Sequence, residues 1–275
     1  QEGNPLIEAF KRRDVARIWD ELNDLWEPKL YPSAPRYVHL DIAEAPGRNR
    51  YGMAMCTRVG GRVVTRKDDR GRPRKYALYD YLWDFAVGLT CKQGDRVSMQ
   101  KVREFLIWLR DTMRYHIVLI TTDGYQSSDT RQMLEMSGFE TKLVSADRDD
   151  AAYTGLRNAM REGRTQWSSE AQILMRELTY LERHYTGRIR ANGEHVTKID
   201  HPSRNPDGTM GSKDAADAVA CSWKDAADAA QEMLLPDDPS IVRSQDRNLV
   251  AEDDGAWVSP ASRSQHHLDE MFDDD

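Results

Sequence analysis

Ile117-Val118-Leu119-Ile120-Thr121-Thr122-Asp123-Gly124 is the stretch on which the fold turns. A short run that is apolar on both faces suits a strand buried on both sides, as in a parallel sheet, and this one stops at a turn signal. Upstream, Ser98 can cap a helix in which Val102, Phe105, Leu106, Leu109 and Met113 recur at helical spacing. Downstream, a helix from about Ser128 should stop at Gly138, and Phe139–Ser145 should form a further strand. Helix, strand, helix, strand is the alternation of an α/β domain.

Working outward, Arg36 to Ile42 reads as a strand with Val38, Leu40 and Ile42 on one face and Tyr37, His39 and Asp41 on the other. Tyr51 to Val59 is a second strand, and Gly60-Gly61 predicts a hairpin into Arg62–Arg66. Lys75 to Val87 is a long aromatic strand. Two helices are expected near 149–162 and 169–184. Asn192-Gly193 marks a two-residue hairpin between Arg188–Arg190 and His195–Ile199. An Ala-rich helix should run from Ser212 to about Leu235. Residues 7–25 carry a helical pattern, but Pro28, Pro32 and Pro35 follow, so 1–35 reads as a lead-in or linker. The expected organisation is a lead-in over 1–35, an α/β domain with a mixed sheet over 36–235, and an acidic, disordered tail over 236–275.

The 275 residues are 39% hydrophobic and 31% charged, which is enough for a core, and no apolar run approaches the ~20 residues that span a bilayer. Cys56, Cys91 and Cys221 are odd in number and show no zinc spacing, which fits reduced thiols in a cytosolic setting. The chain starts with Gln1, so a piece of something longer is expected. The net charge of −7 hides an uneven distribution. Pro236 to Asp275 holds eleven Asp/Glu and three Arg, a balance of −8, which leaves about +1 for the rest. Arg48 to Lys75 holds ten Arg/Lys against Asp68 and Asp69. A basic ribbon on a near-neutral body is compatible with a polyanion, and equally with a solvated hairpin.

Three acidic positions stand where core-forming sequence ends. Asp41 lies within a strand otherwise built for burial. Asp123 directly follows the apolar strand, at the end where open α/β sheets present ligands. Asp214 and Asp217 share one helix face just after a glycine-containing loop. A single strand-end Asp is more often a turn or cap residue, and Asp214 near a helix start has an ordinary explanation in the helix dipole. Together, such acids repel unless a cation joins them, and hard oxygen ligands select Mg²⁺ or Mn²⁺. Two such ions about 3.5–4 Å apart can activate a water and stabilise the leaving oxygen of a phosphodiester.

At these residues the chain resembles a known family. Val38-His39-Leu40-Asp41-Ile42-Ala43 resembles the first catalytic strand of the nuclease half of phage terminase large subunits. Thr121-Thr122-Asp123-Gly124-Tyr125-Gln126-Ser127 is similar to their second acidic strand end, and Gly211-Ser212-Lys213-Asp214-Ala215-Ala216-Asp217-Ala218 to their closing helix. The resemblance spans about residues 36–235. It implies a ribonuclease H-like fold and an endonuclease that cuts concatemeric double-stranded DNA during viral genome packaging in the host cytoplasm. Asp41, Asp123, Asp214 and Asp217 would hold two Mg²⁺ or Mn²⁺ ions. The implied partners are a packaging ATPase, the portal protein and the small terminase subunit. No GxxxxGK[ST] phosphate loop is present, so the nuclease half alone is expected, with 1–35 as the join to an upstream ATPase. A resolvase or integrase of the same fold, and a non-catalytic DNA- or capsid-binding module, are the alternatives.

Lesser signals remain. Arg62, Arg66, Arg70, Arg72 and Arg74 are the candidate phosphate contacts of the ribbon. His201 lies in the loop before the acidic helix, where a surface role is the commoner one. Lys213 could offset carboxylate charge, although an exposed lysine is the expected reading. The tail end Met271-Phe272-Asp273-Asp274-Asp275 suits either a portal-docking peptide or plain disorder. Finally, Lys213-Asp-Ala-Ala-Asp-Ala218 recurs as Lys224-Asp-Ala-Ala-Asp-Ala229. Eleven residues make three turns plus about 20° and a rise of roughly 16 Å, so one copy alone can serve a metal pair. The first is chosen, and the second should be ordinary helix surface.

Overall fold

Apolar alternation places strands β1 (Pro35–Ala45), β2 (Arg48–Lys67) and β3 (Pro73–Thr90) early in the chain, followed by β4 (His116–Thr122), β5 (Thr141–Leu143) and β6 (Thr165–Gln166). The computed structural model describes residues 3–11, 33–45, 48–67, 70–90, 97–124, 127–148, 150–167, 171–189, 193 and 195–231. The six strands form one mixed sheet in the order β5-β4-β1-β2-β3-β6. β1 runs antiparallel to β2 and parallel to β4, β5 is parallel to β4, and β6 is parallel to β3. Helices α1 (Pro5–Lys11), α2 (Met99–Asp111), α3 (Ser128–Met136), α4 (Ala151–Arg161), α5 (Gln172–Thr179) and α6 (Asp214–Gln231) complete an α/β arrangement. Strands β7 (Glu182–Ile189) and β8 (His195–Asp200) pair antiparallel in a sheet of their own.

The chain divides into two units. The first comprises Gln1–Arg58 and Tyr81–Ala226, and the second comprises Val59–Asp80 and Ala227–Asp275. In the first, Val38, Leu40 and Ile42 of β1 pack with Met53, Met55 and Phe85 and with Val102, Phe105, Leu106 and Leu109 of α2. The Ser98 hydroxyl caps α2 by accepting the Lys101 N–H at 3.3 Å. Phe10 of α1 belongs to this core, edge-on to Phe85 and Phe105. The other face of β1, with Tyr37, His39 and Asp41, is buried as well. Ala215, Ala216, Ala218, Val219 and Ala220 of α6 are all buried, and side chains this small let a helix lie close to a backbone. A buried ion pair, Arg36 Nε to Asp84 Oδ2 at 3.2 Å, lies within this unit, and Arg36 stacks over Tyr115.

Two sequence expectations are corrected. β2 runs through Gly60-Gly61 to Lys67 rather than turning there. Gly60 takes a φ of 60°, the kind of local kink a glycine supplies inside a strand without reversing the chain. The helix expected over 169–184 ends at Thr179, and Glu182 begins β7 instead. Pairing decides this: Glu182 stands opposite Asp200 and Arg183 opposite Ile199, so the hairpin arms reach further back than Arg188. The helical pattern over 7–25 is described as α1 only, since 12–32 lie outside the described residues. The acidic tail, 236–275, also lies outside them. Among the described residues no helix is long and apolar enough to cross a membrane.

Candidate active site

Asp41 lies within the central strand β1, one residue past the end of its pairing with β4, and its cross-strand partner on β2 is Gly52. A Cβ at Gly52 would lie 1.7 Å from the Asp214 carbonyl oxygen and 2.9 Å from the Ala215 nitrogen. The first turn of α6 therefore rests directly on bare backbone beside Asp41, an approach that only glycine permits. Asp123 arrives from the other side. Its N–H donates to the Leu40 carbonyl at 3.2 Å, which extends the β1–β4 pairing one step past β4. Its Oδ1 accepts the Gly124 N–H at 2.6 Å. The turn behind it is held by the Ser127 hydroxyl, which donates to the Gly124 carbonyl at 2.7 Å and lies 2.8 Å from the Thr122 hydroxyl.

The four sequence-derived acids come together electrostatically. Burial pushes Asp41 well above the usual carboxylate range, and the negative charges of Asp217, Asp214 and Asp123 push it further. Lys213 pulls the other way. Lys213 is not exposed, contrary to expectation: its ammonium pairs with Asp217 Oδ2 at 2.8 Å, one helical turn away, and the residue is buried. The reason is its place just before α6, where an i,i+4 pair points back along the same face. Asp217 Oδ1 accepts the Tyr153 hydroxyl of α4. Burial and the adjacent Asp217 charge raise the Tyr153 phenol well above its ordinary value, so it stays a donor.

Two members of this site carry signals that sequence reading missed. Glu177 of α5 is buried, and its Oε2 accepts the Ala216 N–H at 2.9 Å, capping α6 from outside the helix. Ser212 Oγ lies 2.6 Å from Glu177 Oε1 and 3.0 Å from Asp214 Oδ2. The single hydroxyl proton is shared between these two acceptors, with Glu177 the nearer. Burial pushes Glu177 upward, and the hydrogen bonds from Ser212 and the Ala216 N–H pull it the other way. The available signal was spacing: Glu177 follows Leu174 by three residues on the buried face of α5. Tyr153 likewise shares the buried face of α4 with Leu156.

The other candidates fall elsewhere. His201 Nδ1 donates to the Pro202 carbonyl at 2.9 Å within its own loop, and it packs where a Gly211 Cβ would come within 2.6 Å. Arg62, Arg70 and Arg72 belong to the second unit, with Arg70 and Arg72 exposed and Arg62 half-buried. The side chains of Arg66 and Arg74 lie outside the described part of the chain. Of the repeat's second copy, Asp228 is exposed but Asp225 is buried, so the expectation of plain helix surface fails for Asp225. Asp225 repeats Asp214, eleven residues and about 20° away, and meets the Thr121 hydroxyl of β4, whereas Asp228, the copy of buried Asp217, faces outward. His39, neighbour of Asp41 on the same strand face, is fully buried, and burial lowers its pKa to about 3.

The donor set around Asp41 is carboxylate oxygen, the chemistry a hard divalent cation prefers. Burial and mutual repulsion leave the cluster short of positive charge, and Lys213 supplies a single one. In that sense the residues fit a metal. Even so, among the described residues no three His, Cys, Asp or Glu side chains are already disposed as a ligand set. Asp217 has one oxygen on Lys213 and the other on Tyr153, and each oxygen keeps a further lone pair. No family model matches the chain, and no curated protein matches it in sequence.

Proposed function

We propose that this chain is a metal-dependent endodeoxyribonuclease of ribonuclease H-like fold that cuts double-stranded DNA during viral genome packaging, like the nuclease half of a terminase large subunit. The observation that carries the reading is the gathering of Asp123, Asp214 and Asp217 around buried Asp41, made possible by bare backbone at Gly52. The mixed sheet flanked by helices is compatible with that fold.

Asp41, Asp123, Asp214 and Asp217 would hold two Mg²⁺ or Mn²⁺ ions. When bound, such ions supply an activated water and stabilise the leaving oxygen of a phosphodiester. The chain's own residues do the rest. Tyr153 orients Asp217, Glu177 and Ser212 fix the start of α6, and Lys213 offsets carboxylate charge before cations enter. The basic ribbon would track the phosphate backbone, and a packaging ATPase, portal protein and small terminase subunit would be the protein partners.

The test is cleavage of supercoiled and linear plasmid by the purified chain with Mg²⁺ or Mn²⁺, beside a chelator control. Ion-dependent nicking and linearisation are expected. Absence of cleavage in both ions, with ion binding also absent by calorimetry, would overturn the reading. Preference for branched over linear duplex would move it to the resolvase alternative.

A further inference from the structure

The second copy of the α6 repeat reaches into the sheet. Asp225 Oδ2 accepts a hydrogen bond from the Thr121 hydroxyl at 2.7 Å, and His39 Nδ1 stands 2.8 Å from the Thr121 oxygen. His39 and Thr121 are register partners across β1 and β4, and all three residues are buried. A threonine hydroxyl has one proton. Two acceptors compete for it, Asp225 Oδ2 and, further off at 3.3 Å, the Val38 carbonyl; donated to either, it leaves the oxygen free to accept from Nδ1 of His39. His39 Nε2 is buried without a hydrogen-bond partner. A proton there would be an orphaned donor, which supports the same tautomer.

Asp217 and Asp225 stand eight residues apart on α6, about 80° around its axis and about 12 Å along it. Asp217 lies by Asp41, and Asp225 is tied to Thr121. The helix is thus fastened to the sheet at two points, the Gly52 contact and the Asp225–Thr121–His39 chain. A slip of one residue would move α6 by ~1.5 Å and turn it by ~100°, carrying Asp217 off Asp41. We infer that Asp225, Thr121 and His39 form a positioning relay that sets the register of α6 on β1 and β4, and with it the approach of Asp214 and Asp217 to Asp41. Its catalytic consequence rests on the nuclease reading; its geometry does not.

The test uses the full chain with ¹⁵N-labelled histidine. NMR should find His39 protonated at Nδ1 in the parent and in Thr121→Ser, and altered in Thr121→Val and Asp225→Ala. With Mn²⁺ and plasmid, Thr121→Val should lower kcat by about tenfold or more with KM nearly unchanged, as expected for misplaced reacting groups, and Thr121→Ser should restore it. His39→Asn keeps a donor near the Nδ1 position and should retain cleavage, whereas His39→Leu should not, which decides the matter even if Thr121→Val does not fold. An Nε2-protonated His39 in the parent, or parental kcat in both Thr121→Val and His39→Leu, overturns the relay. A parent that cleaves no DNA overturns the nuclease reading alone. The relay is then judged by the tautomer and by crystal structures of Thr121→Val and His39→Leu, where unmoved Asp214 and Asp217 would refute it.

Discussion

Asp41 and Gly52 face each other across the β1–β2 ladder, and the missing side chain of one makes room for the helix that brings acids to the other. A methyl group at position 52 would sit 1.7 Å from the Asp214 carbonyl oxygen, and backbone on both sides leaves nothing soft to yield. Gly52→Ala should therefore lift the first turn of α6. The expected cost is at least the ~1–3 kcal/mol of an overpacked core, with cleavage reduced about a hundredfold by a displacement near 1 Å. Chemical denaturation and plasmid cleavage measured together check this, and a fully active Gly52→Ala would show that the close approach is not needed.

Asp41→Asn should abolish cleavage without loss of stability. The folded-state pKa of Asp41 is raised, so between its ordinary value of 3.8 and the raised value the folded chain binds more protons than the unfolded one. Stability from this group is then present at low pH and lost as pH rises through that window. At neutral pH without metal the asparagine variant should melt no lower than the parent. Saturating Mn²⁺ at ~100 times Kd should raise the parent's Tm by roughly 5–10 °C, and the variant's by much less. An equal shift in both chains, or robust cleavage by Asp41→Asn, would remove Asp41 from the site.

Asp214→Ala combined with Asp217→Ala should eliminate cleavage, while Asp228→Ala alone should leave it within a few-fold of the parent. Asp228 is exposed, and surface substitutions usually change stability by about 0.5 kcal/mol or less. An essential Asp228 with a dispensable first pair would mean that the register of α6 is misassigned.

Glu177 distinguishes a cap from a charge. Glu177→Gln keeps an acceptor for the Ala216 N–H and resembles the protonated form that burial favours, so its stability should stay close to the parent's. Glu177→Ala leaves that N–H and Ser212 without this partner and should cost ~1–3 kcal/mol. Urea melts of the two variants settle the matter, and equal losses would argue for a need for negative charge.

Replacing Arg62, Arg66, Arg70, Arg72 and Arg74 with glutamine should weaken DNA binding irrespective of sequence. The slope of log K against log salt should shrink by ~0.9 for each duplex phosphate that is no longer neutralised. Fluorescence anisotropy across a salt series reads this directly, and an unchanged slope would reduce the ribbon to a solvated arm.

The sequence by itself determined the elements whose cause is local. The apolar run ending at Asp123, the alternation that buries Val38, Leu40 and Ile42, and the Ser98 cap of α2 are all written in neighbouring residues. From these, strand ends bearing Asp41 and Asp123 and a helix start bearing Asp214 and Asp217 could be read directly. Tertiary structure alone decided what depends on partners far along the chain. Gly60-Gly61 looked like a turn because pairing partners are invisible in one strand's pattern. Lys213 looked exposed and Asp225 looked like helix surface, because a repeat that returns to the same helical face does not say what that face meets. Glu177 and Tyr153 gained their places only when α5 and α4 packed against α6, since a polar side chain inside an apolar stripe reveals its partner only once the two surfaces are brought together.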